Sequence, residues 1–294
     1  MAITITNLTS GYGTNNPQST SSISPTANVP VILSVGLSVN SGTMIADDNI
    51  TISGCNLTWT LIARLEWGTR RIVAVYKGVG ASPSSGAVSI EFTDSGAGKI
   101  LEQFKWSIDE LTGADSTTPF GTGYAAAGAA AEASPVTVSE APDAGDFVFF
   151  AGGLEYNYAA SLNSELDTQL VQIGDATGCR RFVTAYDSAP DSSPVPGLTW
   201  TGSCLWGSLA FIINVSSASA TIEQEGFRFR NDDGSESAAT WKASQDTNIT
   251  LAADTAARIR MLLNATGDPA SIGAQLEYRY KPSGGAFGSW AKVN

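Results

Sequence analysis

Residues 29–39 read Val29-Pro30-Val31-Ile32-Leu33-Ser34-Val35-Gly36-Leu37-Ser38-Val39. Past Pro30 the run is apolar except at Ser34, Gly36 and Ser38. A strand with one wet face alternates apolar and polar residues, whereas a strand apolar at successive positions needs cover on both faces. The run is rich in Val and Ile, so it predicts a central strand deep in a core.

Working outward, strand patterns recur on both sides. Leu57-Thr58-Trp59-Thr60-Leu61 alternates cleanly, and after Trp67-Gly68-Thr69-Arg70 a second run follows, Arg71-Ile72-Val73-Ala74-Val75-Tyr76; together they predict a hairpin with a Gly-bearing turn. Val88, Ile90 and Phe92, then Phe104, Trp106 and Ile108, repeat the two-residue period. On the N-terminal side, Met1–Leu8 sets Ile3 and Ile5 against Thr4 and Thr6. Asn7–Asn28 is dominated by Ser, Thr, Asn, Gly, Pro and Gln, which predicts an arm with little core of its own, able to order on a neighbour's sheet edge. Ala125–Ala133 has helical propensity interrupted by Gly128 and reads as a loop with at most a short helical turn. Strands resume at 136–138, 146–151, 169–173, 182–186, 198–201 and 205–215.

The expected fold is therefore all-β, a large jelly-roll-like antiparallel sandwich followed by a small immunoglobulin-like one. The divisions are an N-terminal strand and arm over 1–28, the large sandwich over 29–216, a linker at 217–220 and the small sandwich over 221–294. In the last, Phe227 and Phe229 alternate with Arg228 and Arg230, Ile259 and Met261 with Arg258 and Arg260, and Leu276, Tyr278 and Tyr280 with Glu277, Arg279 and Lys281. Trp241 and Trp290 read as core or rim fillers.

Charge sharpens the division. Of the 294 residues, 43% are hydrophobic and 15% charged, a globular balance, and the net charge is −12. Residues 1–218 carry 8 basic and 19 acidic side chains, whereas 219–294 carry 8 and 9. So acidic a chain argues against a nucleic-acid partner, whose phosphates are bound by Lys and Arg. With no apolar run of bilayer length and no basic leader, neither a membrane partner nor secretion is expected.

Reactive chemistry is sparse. The chain has no histidine, which removes Ser-His and Cys-His nucleophile pairs and imidazole metal ligands, and it has no phosphate-loop motif. No catalytic residue, metal or cofactor is expected. Cys55, Cys179 and Cys204 read as free thiols near strands, with a Cys55–Cys204 disulfide as the minor alternative. Asp109 and Glu110 are the nearest thing to a glycosidase pair, but adjacent strand residues point to opposite faces, so they read as solvated acids at a strand end. Asn231-Asp232-Asp233-Gly234 lacks calcium-loop spacing and reads as a turn.

The best candidate contact is Gly152-Gly153-Leu154-Glu155-Tyr156-Asn157-Tyr158, where Tyr156 and Tyr158 stand beside Glu155 and Asn157 in a loop. Trp67, Tyr124 and Tyr12, flanked by Gly or small polar residues, are weaker candidates. Aromatic faces beside amides and carboxylates suit sugars; the competing reading is that these rings seal loops or sit in a subunit contact.

Several stretches together resemble virion structural proteins of tailed bacteriophages, in particular head-decorating and tail-associated proteins. They are Ser24-Pro25-Thr26-Ala27-Asn28 running into Val29–Val39, Trp59-Thr60-Leu61 with Arg70-Arg71-Ile72 and Tyr76, and Phe104–Gly113. In the C-terminal part, Glu223–Glu236 and Thr240-Trp241, followed by Arg258-Ile259-Arg260 and Leu276–Arg279, are similar to a module that recurs in such proteins. The resemblance implies a virion location after synthesis in a host cytoplasm. It also implies docking on capsid or tail proteins, self-association as a symmetric homo-oligomer, and no active-site residues. Attachment to a host-surface glycan is the alternative expectation.

Overall fold

The computed structural model describes residues 2–44, 48–95, 98–175, 179–216, 221–231, 233, 238, 240–252, 258–266, 277–279, 281–289 and 291–292. Among these residues the fold is all-β. In chain order the first strands are β1 (Thr4–Gly13), β2 (Gln18–Ser19), β3 (Val31–Val39), β4 (Asn49–Gly54), β5 (Thr58–Trp67), β6 (Arg71–Val79) and β7 (Val88–Thr93). They are followed by β8 (Leu101–Thr112), β9 (Tyr124–Ala133), β10 (Phe147–Leu154), β11 (Ala160–Leu162), β12 (Thr168–Gly174), β13 (Arg181–Asp187) and β14 (Leu198–Ile213). These fourteen belong to one compact unit, Met1–Ser216; a second spans Ser217–Asn294.

Every residue of β3 is buried, and the sheet topology gives the reason. Its sheet, ordered β1-β8-β3-β6-β5, is a middle layer. Val31, Leu33, Val35 and Leu37, with Phe104, Trp106 and Ile108 of β8, pack on one side against Ile50 of β4 and Val88, Ile90 and Phe92 of β7, strands of the small sheet β2-β7-β4. On the other side Ile32, Val73, Val75 and Leu111 meet Phe149, Phe182, Leu209 and Phe211 of the sheet β11-β14-β10-β13-β12, where β9 also pairs with β14. A third apolar cluster, including Val148, Phe150, Trp200 and Trp206, fills the far face of that sheet beneath Val136 and Val138. The unit is thus an antiparallel sandwich with three stacked sheets. The hairpin expected from Leu57–Tyr76 is β5–β6, turning at Gly68 and Thr69, both with positive φ.

Three expectations need correction. Ala125–Ala133 is strand β9, paired antiparallel with β14 from Tyr124↔Ala210 to Ala133↔Thr199. Small side chains suit it there, because the indole of Trp206 lies where a Cβ on Gly128 would sit, 2.6 Å from Nε1; tertiary packing overrides the helical propensity of alanine. The polar stretch 7–28 is not a free arm. β1 pairs with β8 as far as Gly13↔Phe104, β2 pairs with β7, and Ile23 bridges Gly86 and enters the core. Its polar residues serve as edge-strand and loop residues on its own unit.

The third correction concerns Asp109. It lies inside β8, fully buried, with Ser107 Oγ donating at 2.7 Å and Asn7 Nδ2 at 2.8 Å. It shares the interlayer face with Gln103, Lys105 and Leu111. Burial pushes its carboxyl up to about 6, against the two hydrogen bonds that favour the anion. Glu110, on the opposite face, accepts from the Thr26 N–H at 2.6 Å. The three cysteines are buried and free.

In the second unit, β15 (Thr221–Arg230) pairs with β16 (Arg258–Thr266) and β17 (Glu277–Tyr278) with β18 (Ala291–Lys292), both antiparallel. The register sets Phe227 opposite Met261 and Phe229 opposite Ile259 on one face, and Arg228 opposite Arg260 and Arg230 opposite Arg258 on the other, as the alternation requires. The linker 217–220, Asp232 and Gly234 of the expected turn, Leu276, Tyr280 and Trp290 lie outside the described residues.

The buried carboxyl sets a pH dependence. Its folded value lies above its ordinary 3.8, so its contribution to stability is fully present below about pH 4 and is lost as pH rises through 6. Asp109→Asn keeps an oxygen acceptor for Asn7 and cannot ionise. In urea titrations the variant should gain on the parent by on the order of 2 kcal/mol between pH 4 and pH 7; a difference that stays constant with pH would refute the assignment.

Candidate functional site

The chain leaves β10 at Leu154, whose neighbour across the ladder is Trp206, and the next four residues are Glu155, Tyr156, Asn157 and Tyr158. The Glu155 N–H donates to Leu205 O at 2.9 Å, so the loop starts as an extension of the sheet. Tyr156 is 42% exposed. Its ring meets Tyr158 at 5.7 Å between centroids with a 57° tilt, and the Arg180 guanidinium lies 5.4 Å from its centroid. Asn157 is also exposed.

Beneath this surface the polar groups are tied down. Arg181, opening β13, donates from Nε to Tyr158 O at 2.8 Å and from Nη1 to Gln172 Oε1 at 3.1 Å, while Gln172 Nε2 reaches Ala160 O at 2.9 Å. Glu155 takes a charge-assisted bond from Arg71 Nη2 at 3.1 Å, and the same guanidinium stacks 5.2 Å from the Trp67 ring. Tyr158 rests on Gly202, where an added Cβ would lie 2.7 Å from its ring. The outcome is one half-rigid, half-exposed patch: an aromatic pair, a guanidinium stacked on its outer ring, and an amide at its edge.

The other candidates lie elsewhere or play other parts. Trp67, 3% exposed, is a core wedge that meets the patch through Arg71. Tyr124 sits in β9 opposite Ala210, several residues along β14, half-buried on the outer apolar cluster. Tyr12 is 58% exposed on the edge strand β1, with Lys105 Nζ 5.9 Å from its ring. That ammonium is buried and held by Asp175 Oδ1 at 3.1 Å and by Gln103 Oε1. Asp175 and Arg180 close the β12–β13 hairpin through an N–H···O bond of 3.0 Å, so Lys105 beneath Tyr12 and Arg180 on Tyr156 both meet the same turn. Arg71, Arg180, Arg181 and Gln172 escaped the sequence reading; the doublet Arg180-Arg181, in a stretch otherwise acidic, was the signal available.

Elsewhere, the groups with reactive potential are held in place. Burial pushes the Cys179 thiol up to about 11 and raises Cys55 and Cys204, which keeps them protonated. Lys99, buried, is held above its ordinary value by Asp94 at 2.9 Å and Asp48 at 3.0 Å. No protein-family model, curated protein or solved structure matches the chain.

The two kinds of aromatic residue predict opposite responses to truncation. Trp67→Ala should cost about 3–5 kcal/mol of stability, as buried aromatics do, whereas Tyr156→Ala should stay within about 1 kcal/mol. Thermal unfolding of both variants checks the distinction, and equal losses would contradict it.

Proposed function

We propose that this chain is a non-enzymatic structural component of a tailed-phage particle, docking on a neighbouring capsid or tail protein through the Tyr156–Tyr158–Arg180 patch. The observation that carries the reading is the exposed Tyr156 ring, stacked by Arg180 and seated on Tyr158, above fixed polar groups. Tyr and Arg contribute disproportionately to protein contacts because they bring large area and several hydrogen bonds at small entropic cost. A patch whose underlying polar groups are already hydrogen-bonded has less further freedom to lose on docking. The virion setting comes from the sequence resemblance. The buried ion pairs and clasped carboxylates suit a chain whose polar groups brace a scaffold.

The second reading uses the same surface for a host-surface glycan. It is favoured by exposed Asn157 beside an open tyrosine ring, a pairing of hydroxyl-binding amide and C–H-binding aromatic face.

Occupancy separates these readings. Particles assembled with Tyr156→Ala plus Arg180→Ala should carry much less of this protein by quantitative mass spectrometry, while the purified variant keeps the parent's melting temperature. Unchanged occupancy would sink the docking role. Binding on a glycan array that is lost in Tyr156→Ala and Tyr158→Ala would establish the second reading instead.

A further inference from the structure

We infer that the second unit carries a separate binding site for one acidic sugar residue, built on Arg228, Trp241 and Gln245. It uses no residue of the docking patch and stands whether or not that patch docks. Its frame is the segment 240–246, which runs beside β15 as a partial third strand. Trp241 bridges Arg230, Lys242 N donates to Phe229 O, and Asp246 N donates to Phe227 O, both at 2.9 Å. This fixes Trp241 and Gln245 relative to the strand that bears Arg228.

Between them lies a groove of about 210 Å³, lined by Arg228, Arg260, Trp241 and Gln245, with Leu262 on the Arg260 face and the flanking Phe227 and Met261 adding apolar surface. Arg228 is held but not neutralised. Its Nε donates to Ala243 O at 2.8 Å and its Cζ lies 4.3 Å from the Trp241 centroid, a stack that fixes the guanidinium plane. Among the described residues no carboxylate pairs with it. Asp246, the carboxylate after Gln245, accepts the Phe227 N–H at 2.8 Å. The Gln245 side-chain amide makes no hydrogen bond among the described residues.

The ligand follows from these groups. A bidentate guanidinium takes a carboxylate. The Gln245 amide takes a hydroxyl, and the part of the 38% exposed Trp241 ring that Arg228, at 4.3 Å, and Arg230, at 5.0 Å, leave open takes C–H bonds with its apolar neighbours. The volume lies below the roughly 300 Å³ at which drug-sized pockets begin, which limits the occupant to about one ring. A sugar bearing a carboxylate presents all three features; a protein carboxylate would use only the first.

The test is a titration of the full chain with glucuronate, glucose, acetate and inorganic phosphate. It is followed by the indole N–H signal of Trp241 in ¹H–¹⁵N spectra and assigned with Trp241→Phe. Glucuronate should give a saturable shift that glucose, acetate and phosphate do not match, and Tyr156→Ala should bind as the parent does. Arg228→Gln should weaken binding about tenfold or more, the scale of a lost charge-assisted contact. Arg228→Lys, which keeps the charge without the fork, should weaken it while leaving the rest of the spectrum in place. No saturable shift, equal binding of glucose, or equal binding of acetate or phosphate would each overturn the proposal, as would unchanged affinity in a folded Arg228→Lys.

Discussion

The middle sheet of the first unit must be filled from both sides, and the filling is reciprocal. Phe182 of β13 projects onto β3 where Gly36 leaves room; a Cβ there would lie 2.8 Å from its ring. In the other direction Trp67 of β5 lies on β10 and β14 where Gly153 and Gly207 leave room, the Cβ of the latter position falling 2.3 Å from the indole. Bulk on one sheet therefore meets absence of bulk on the other. Interiors are packed at crystal density, so adding one methyl at such a position costs about 1–3 kcal/mol. Ser34, Gly36 and Ser38, which interrupt the apolar run of β3, are small because they face this interlayer.

The same interlayer carries charge, and that charge ties the fold to the candidate site. Gln103, Lys105, Ser107 and Asp109 lie on one face of β8. Lys105 and Gln103 reach across to Asp175 at the turn of the β12–β13 hairpin, the Gln103 bond being 2.5 Å. Asp109 holds Asn7 and so holds β1. A buried pair is poor evidence for net stability, because desolvation offsets the attraction, but removing one partner leaves a charge stranded. Such a pair favours one arrangement over its alternatives. Here the pair ties the β12–β13 turn to β8, on the strand-end residue Asp175 whose N–H bonds to the carbonyl of Arg180, the residue that stacks on Tyr156.

Much of this was legible in the sequence, and the failures share one cause. The β3 run, the β5–β6 hairpin and the alternation in Phe227–Arg230 and Arg258–Met261 declare themselves because each depends on local period, which a sequence displays. The strand β9 does not, since alanine is a helix former until Trp206 sits over Gly128, a contact between residues 78 positions apart. Asn7–Asn28 reads as an arm for a neighbour's sheet edge because its composition builds little core, yet β7 and β8 of its own unit order it. Asp109 looked solvated because acids usually are, and no local signal shows that Asn7 stands opposite it in the ladder. At the candidate site, Glu155–Tyr158 are consecutive and were found, whereas Arg71 and Gln172 reach it only through tertiary folding.

The two surfaces singled out share a construction despite lying in different units. Each places a guanidinium on an exposed aromatic ring, Arg180 on Tyr156 and Arg228 on Trp241, and each anchors the underlying polar atoms to backbone carbonyls. In a chain of net charge −12 these are islands of positive charge. Like fields repel over about 8–10 Å at physiological salt, so the general acidity disfavours the approach of other strongly acidic surfaces. An approaching anionic group is favoured where a guanidinium lies at the surface, and the aromatic beneath it adds apolar contact area. The pairing recurs where Arg279 lies 4.1 Å from the ring of Phe287, 53% exposed, so a cation on an open aromatic ring is a repeated element of this chain's surface.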